Sequence, residues 1–395
     1  MKVLLVLDAT NPYDQKVIRG VTTYAHNADG WSLQLMHDPS ERYRYWEQDP
    51  LEKQFACDAR QADGIIAYFS SQQITAALSK VSVPVIEFAP NCGWGEQVAH
   101  IPSFSEDDHA IARLAAEDLI SRGFKQLAFC GVPETRFTRW SSARERAFQQ
   151  CAEEAGVPCS VFPVGLSQRR KGHNVHEQLS AWVRSLPKPV GLMACYDVRA
   201  FHVLDACHEL GLLVPEDVAV IGVDNNELLA ELSNPPLSSI EQGAKKIGYQ
   251  AAALLDRLMA GEKAPELRMQ VEPEGLVTRR SSDFWAIEDT YVSEALKFIR
   301  EHACEGIRVV DIVEAIAVGR TTLESHFRKA MGRTLNAEIQ RIQIECVRRL
   351  IATTELPLKD IASAAGFNSV QYMTTLFRRH TGQTPGRHRR NVRSG

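Results

Sequence analysis

At 395 residues, 44% hydrophobic and 24% charged, the chain has the composition of a soluble globular protein long enough for two or three domains with real cores. The opening run Val3-Leu4-Leu5-Val6-Leu7 is too short for a signal peptide or a membrane span, so a cytoplasmic protein with no membrane partner is expected. Nine cysteines with no C-x-x-C pair and no clustered histidine suggest neither a disulfide framework nor a metal site, and no cofactor is implied.

Short apolar strands alternate with amphipathic helices up to about residue 274. Strands are expected at 3–7, 64–68, 83–88, 127–130, 191–194 and 218–222, and helices at 13–26, 109–122, 143–155, 198–210 and 244–259. Such alternation reads as parallel sheets, and two groups of units separated near 133–139 read as two lobes. Small-molecule sites in such folds lie at the carboxyl ends of strands, so the loops that follow them should line the cleft. Gly93-Trp94-Gly95 does not extend to a dinucleotide fingerprint, and no phosphate-loop, zinc-protease or nucleophile-elbow motif is present. Asp107-Asp108 read as capping residues for the helix behind them.

The most patterned part of this region carries Asp197 and Ala200, then Gly211, then Val214-Pro215-Glu216-Asp217-Val218-Ala219-Val220-Ile221-Gly222-Val223-Asp224, then Pro236-Leu237. With Gly123 and Arg144-x-x-Ala147-Phe148, it resembles the effector domain of the lactose-repressor family and of related periplasmic sugar-binding proteins, over nearly all of residues 1–280. The resemblance implies a two-lobed sugar-binding domain in which Asp224 and Arg144 meet sugar hydroxyls. A carboxylate accepts two hydroxyl protons and a guanidinium donates in a fixed fork, so together they select a polyol. It also implies Asn11, Tyr13, Asp14, Asp197 and Asn225 as further sugar-site candidates, with Trp140 or Phe69 stacking on an apolar sugar face. Asp14 and Asp197 equally suit helix caps. Tyr196 stands where that family usually has asparagine, and Met1-Lys2 leads straight into the first strand where those repressors carry a helix-turn-helix.

The tail end reads differently. A helix is expected over 309–316, with Val310, Ile312, Val313 and Ile316 packing and Asp311 and Glu314 outward. After Gly319 comes a helix with a polar stripe of Thr321, Glu324, Ser325 and Arg328 at i, i+3, i+4 and i+7. A long helix over about 335–351 follows. Beyond Pro357, Ile361-Ala362 gives another short helix, Gly366 supplies a φ > 0 turn, and Ser369 suits an N-cap. On the next helix Met373, Leu376 and Phe377 face one way, and Gln371, Thr374, Thr375 and Arg378 the other. The halves repeat: Phe327-Arg328-Lys329 with Gly332 and Thr334 matches Phe377-Arg378-Arg379 with Gly382 and Thr384. From Ala286 onward 17 basic residues face 12 acidic ones, in a chain that holds 45 and 49, which is the footprint of a polyanion partner at this end.

Ile361-Ala362, Gly366-Phe367, Tyr372-Met373, Phe377-Arg378-Arg379, Gly382 and Thr384-Pro385 resemble the DNA-binding signature of the arabinose-operon-activator (AraC) family, with Met373 where an aromatic is usual. That resemblance implies an all-α domain of two helix-turn-helix units whose recognition helices enter successive major grooves, roughly 34 Å apart. On those helices Thr321, Thr322, Ser325, Gln371, Thr374 and Thr375 are candidates for base edges, and Arg320, Arg328, Arg378 and Arg379 for phosphates.

The expected division is therefore a sensor over 1–280, a linker over 281–288 and a DNA-binding domain over 289–395. This order of modules resembles sugar-responsive regulators of pentose operons. It implies a non-enzymatic transcription activator with operator DNA, a small sugar such as D-xylose, RNA polymerase and a second copy of itself as partners. A repressor, and a sugar-metabolising α/β enzyme fused to a DNA-binding tail, remain as alternatives; no catalytic residue is assigned.

Overall fold

The computed structural model describes residues 1–28, 30–37, 59–68, 75–76, 78–88, 100–135, 137–163, 175–286 and 289–394. It divides into two compact units, Met1–Asp118 with Gln126–Asp283, and Leu119–Lys125 with Phe284–Gly395.

The first unit runs β1 (Lys2–Leu7), α1 (Pro12–Asn27), β2 (Ser32–His37), β3 (Gly64–Ala67), β4 (Val85–Phe88), β5 (Ser103–Glu106) and α2 (Asp108–Ser121), of which the stretch up to Asp118 belongs to this unit. It continues β6 (Leu127–Cys130), α3 (Arg139–Glu154), β7 (Cys159–Val161), α4 (Val175–Ser185), β8 (Val190–Ala194), α5 (Asp197–Glu209) and β9 (Val218–Val223). It closes with α6 (Glu227–Leu232), β10 (Ser238–Glu241), α7 (Ala244–Met259), β11 (Arg268–Val271) and β12 (Gly275–Val277). Among the described residues these form two six-stranded sheets, ordered β11-β5-β4-β3-β1-β2 and β12-β10-β9-β8-β6-β7. Every pairing is parallel except that of β10 with β12. Strands such as β1, β8 and β9 are buried along their length, which is why they read as unbroken apolar runs.

The chain passes between the sheets after β5, after β10 and between β11 and β12. Helix α7 consequently belongs to the first sheet, where Ala244, Ile247, Ala251 and Leu255 share a core with Val3, Leu5 and Val17. Helices α1 and α7 touch backbone to backbone: a Cβ on Gly248 would lie 2.0 Å from the carbonyl oxygen of Val17. The division into lobes thus falls between β5 and β6, before the expected place near 133–139, which is a correction. The polar sequence of β5, Ser-Phe-Ser-Glu, hides it as a strand, so the first lobe ends earlier than its apolar runs suggest.

In the second unit, α8 (Thr290–His302) precedes α9 (Val309–Ile316), α10 (Arg320–Met331), α11 (Leu335–Thr353), α12 (Leu358–Ala364), α13 (Val370–Thr381) and α14 (Pro385–Ser394). Two cores form. Leu296, Ile299, Ile312, Leu323 and Phe327 surround the N-terminal half of α11 at Leu335 and Ile339. Ile361, Ala362, Phe367, Met373, Leu376 and Phe377 surround its C-terminal half at Ile344, Val347 and Ile351. One helix therefore spans both helix-turn-helix units, and the repeated Leu323 and Met373 are fully buried in equivalent places. Val310 is a correction: it is exposed, because Val309, Ile312, Val313 and Ile316 already fill the inward stripe of α9. Ser369 caps α13 by accepting the Tyr372 N–H at 3.3 Å, and Gly366 makes its turn at φ +76°.

Candidate effector cleft and nucleic-acid interface

In the first unit, Arg144 on α3 is the centre of the cleft. It is buried and donates from three nitrogens: Nε to Asp108 Oδ1 at 2.8 Å, Nη1 to the Cys195 carbonyl at 2.7 Å, and Nη2 to Gln242 Oε1 at 2.8 Å. Glu106 Oε1 lies 3.7 Å from Nη2, and the Trp140 ring stacks with its centroid 4.8 Å from the guanidinium carbon. Gln242 passes the connection on, its Nε2 donating to Asp224 Oδ1 at 2.7 Å. Arg144 and Asp224, the two polar partners expected from the sequence, therefore belong to one hydrogen-bonded chain. Burial pushes the Asp224 carboxyl up to about 7 against the pull of Arg144 and Lys16, with Glu106 and Glu241 adding to the rise. Asp108 is likewise raised to about 7, by burial first, although Arg144 pulls the other way.

The first lobe contributes from α1. Tyr13 donates its hydroxyl to Glu106 at 3.2 Å, and burial, Glu106 and Asp14 hold that phenol well above its ordinary pKa. Lys16 reaches the carbonyls of Asp224 (2.5 Å) and Asn225 (3.2 Å) and the carboxylate of Glu241, joining the lobes directly. Asp224 and Asn225 both adopt positive φ, 111° and 45°, a costly backbone that turns the end of β9 toward these partners.

Other expected sugar-site residues are occupied differently. Asn11 caps α1 through the Tyr13 N–H (2.9 Å), and Asp14 accepts the Asp8 N–H (2.8 Å). Asp197 is fully buried, with one oxygen accepting the Asn226 N–H (2.7 Å) and the other the Ser239 hydroxyl (2.5 Å), so it braces α5 against the turn after β9. The Asn225 side chain is held by Arg279 (2.9 Å) and Glu241 (3.4 Å). Trp140 meets Tyr196 edge to face at 5.8 Å, while Phe69 lies outside the described residues. Sequence reasoning did not pick out Lys16, Glu106 or Gln242, nor the bond of Asp108 to Arg144. Asp107 does cap α2, accepting the Ala110 N–H at 3.0 Å, but Asp108 goes to Arg144.

In the second unit the polar stripes face outward. On α10, Arg320, Thr321, Thr322, Glu324, Ser325 and Arg328 are exposed above buried Leu323 and Phe327. On α13, Gln371, Thr375, Arg378 and Arg379 are exposed and Thr374 is half-buried, above buried Met373, Leu376 and Phe377. Local bonds order these side chains: Arg320 Nε to Glu324 Oε1 at 2.9 Å, Ser369 to Gln371 Oε1 at 2.9 Å, and the Thr375 hydroxyl to the Gln371 carbonyl at 3.0 Å. Tyr372, part of the signature but not among the candidate DNA contacts, is exposed on α13, its hydroxyl accepting from Gln340 at 2.8 Å.

Family models match along the chain in the same order as the units: an XylR N-terminal domain over residues 2–105, a periplasmic binding protein-like domain over 116–282, and a helix-turn-helix domain over 312–391. The xylose operon regulatory protein of Escherichia coli (strain K12) is 33% identical over 389 residues, covering 98% of this chain and 96% of that protein. The chain belongs to the family of xylose operon regulatory proteins. The member from Haemophilus influenzae is 30% identical across 99% of this chain and 98% of its own length. A solved structure of the xylose-binding transcription activator XylR superimposes with a TM-score of 0.59 at 32% identity, covering 98% of this chain and 97% of that one. As a member of that family the chain is a sugar-responsive, DNA-binding regulator of AraC type with a periplasmic-binding-protein-like sensor. Its relatives are transcription regulators, and no helix among the described residues is long and apolar enough to cross a membrane.

Proposed function

We propose that this chain is a transcription activator of a pentose-catabolic operon and that D-xylose is its effector. The sensor spans residues 1–280 and the DNA-binding domain 289–395, joined by 281–288; Ser281, at the start of that joint, bonds the Val220 carbonyl of β9 at 2.6 Å. The observation that carries the reading is the Arg144 fork, which holds Asp108 and, through Gln242, Asp224 at the meeting point of the two lobes. Such a set offers donors and acceptors to several hydroxyls at once. A neutral polyol fits it and an anionic sugar does not, because carboxylates at Glu106, Asp108, Asp224 and Glu241 outnumber the cations Arg144 and Lys16. Arg144, Asp224, Asp108, Glu106, Tyr13 and Lys16 take the sugar, with Trp140 against its apolar face; Asn11, Asp14, Asp197 and Asn225 hold the walls in shape.

Closure of the lobes on sugar changes the DNA affinity of the helix-turn-helix units in a homodimer, and the bound dimer recruits RNA polymerase. The protein acts by binding, without turnover, in the cytoplasm. Coupling of this kind is reciprocal and typically ~1–3 kcal/mol, so operator DNA tightens sugar binding by the same factor. The test is a thermal-shift screen of D-xylose, L-arabinose, D-ribose and D-glucose followed by transcription from an operator template with purified polymerase. A shift with D-xylose alone and sugar-dependent transcript supports the reading; sugar-dependent loss of transcript makes the protein a repressor, and consumption of the sugar makes it an enzyme.

A further inference from the structure

Helices α4 and α5 pack side by side in the second lobe, sharing a core in which Leu179 and Val183 meet Val203, Leu204 and Cys207. On the outer side of that pair, His176 in the first turn of α4 stands over Asp205 and Glu209 of α5. The two carboxylates are four residues apart, so they share one helix face and repel each other. His176 Nε2 already lies 2.7 Å from Glu209 Oε2, and one donor atom from each of the three side chains falls within 4.8 Å of the other two. The donors are 33 residues apart along the chain at their widest, which is why no histidine cluster shows in the sequence.

We propose that His176, Asp205 and Glu209 form a binding site for a divalent first-row transition ion, with Zn²⁺ as its representative occupant. An imidazole with two carboxylates suits Zn²⁺, Ni²⁺ or Co²⁺, whereas Ca²⁺ and Mg²⁺ favour all-oxygen sets. Two packed helices fix the donors before the ion arrives, water completes the coordination, and the ion removes the repulsion between Asp205 and Glu209. The site is remote from the sugar cleft. Glu209 lies twelve residues along α5 from Asp197, about 18 Å at the helical rise. The ion therefore braces the start of α4 against the end of α5 without touching effector.

The test is calorimetric titration of the full chain, free of any affinity tag, with ZnCl₂ at neutral pH, alongside His176→Ala, Asp205→Asn and Glu209→Gln. All three residues lie at the surface or near it, and circular dichroism checks that the variants fold. One equivalent bound by wild type, and a loss of at least about tenfold in affinity in each variant, is expected, since removing even an outer partner of a metal ligand costs that much. Co²⁺ loaded into wild type should show weak visible bands without the intense near-ultraviolet absorption of thiolate ligation, and the D-xylose thermal shift should be unchanged by Glu209→Gln. Equal affinity in wild type and variants, thiolate absorption in the cobalt form, or no binding by wild type overturns the site.

Discussion

Gly366 lies against Gly306 so closely that a Cβ built on Gly366 would stand 2.7 Å from the Gly306 nitrogen and 2.8 Å from the Ala303 carbonyl oxygen. Gln343, buried on α11, ties the same place by donating to the carbonyls of Ala303 (3.0 Å) and Gly366 (3.2 Å). The turn of the second helix-turn-helix unit is thereby seated on the segment that leads into the first. Gly366→Ala adds a left-handed backbone penalty of ~1–2 kcal/mol to an overlap costing ~1–3 kcal/mol. Thermal denaturation should show the helical unit melting earlier, and operator affinity should fall, while the sensor's response to sugar stays. An unaltered melting curve would mean that the two turns move apart freely.

Arg144→Lys should empty the cleft of its organiser. A lysine ammonium reaches one of Asp108, the Cys195 carbonyl or Gln242, but its single point of charge cannot reproduce a planar fork. Lysine keeps the charge but leaves buried acceptors of the fork unpaired, each costing ~1–3 kcal/mol, so the sensor should lose stability of that order in urea and lose its thermal shift with D-xylose. Sugar-free binding to operator should persist, because Arg144 makes its contacts within the sensor. Retained sugar response with wild-type stability would remove Arg144 from the effector site.

How much of this was legible follows from what each residue has to do. Strands buried on both faces announced themselves as apolar runs, and β1, β3, β4, β6, β8 and β9 fall where expected. β5 and β10, Ser-Phe-Ser-Glu and Ser-Ser-Ile-Glu, did not, because they carry Glu106 and Glu241 to the cleft and so lack the apolar signature; β7 and β12 are three residues long. That is also why the crossing between β5 and β6 was placed too late in the chain. The helix-turn-helix pair was legible almost to the residue, since turn glycines, caps and a repeated core fix it locally. Arg144 and Asp224 were found through a family motif, whereas Lys16 and Gln242 carry no pattern: their role arises only when two lobes meet.

Asp197 should make the sensor less stable as pH rises. Burial first, and then the neighbouring Asp224, push its carboxyl up to about 8, against the hydrogen bonds from Ser239 and Asn226. In the unfolded chain it titrates near ~3.9. Its contribution is therefore complete below about pH 4 and is lost as pH climbs through about 8, with a slope of at most ~1.4 kcal/mol per pH unit. Asp197→Asn keeps an acceptor for the Asn226 N–H and offers an amide to Ser239 Oγ, so its urea midpoints at pH 5 and pH 8 should lie closer together than those of wild type. Superimposable profiles would show that Asp197 is ionised throughout.

Glu324 carries the sharpest expectation for DNA. It is the one acid in the outward stripes of α10 and α13, on a face otherwise made of hydroxyls, amides and arginines. A carboxylate pressed toward phosphates is repelled unless it accepts from a base amine, and cytosine N4 is its natural donor in the major groove. Arg320 holds it in place at 2.9 Å and neutralises its charge, although both side chains are solvent-exposed and the pair itself adds little stability. Glu324→Ala should therefore bind non-cognate DNA as well as or better than wild type, yet lose ~1–3 kcal/mol of preference at one base pair. Arg379→Ala offers the contrast: as the proposed phosphate partner, its loss should weaken binding to all sequences alike and lower the salt slope by about one. Binding-site selection with the full chain, followed by affinity measurements over a salt series, separates the two. If Glu324→Ala keeps the wild-type consensus, the acid faces solvent in the complex, and base reading on α10 falls to Thr321, Thr322 and Ser325.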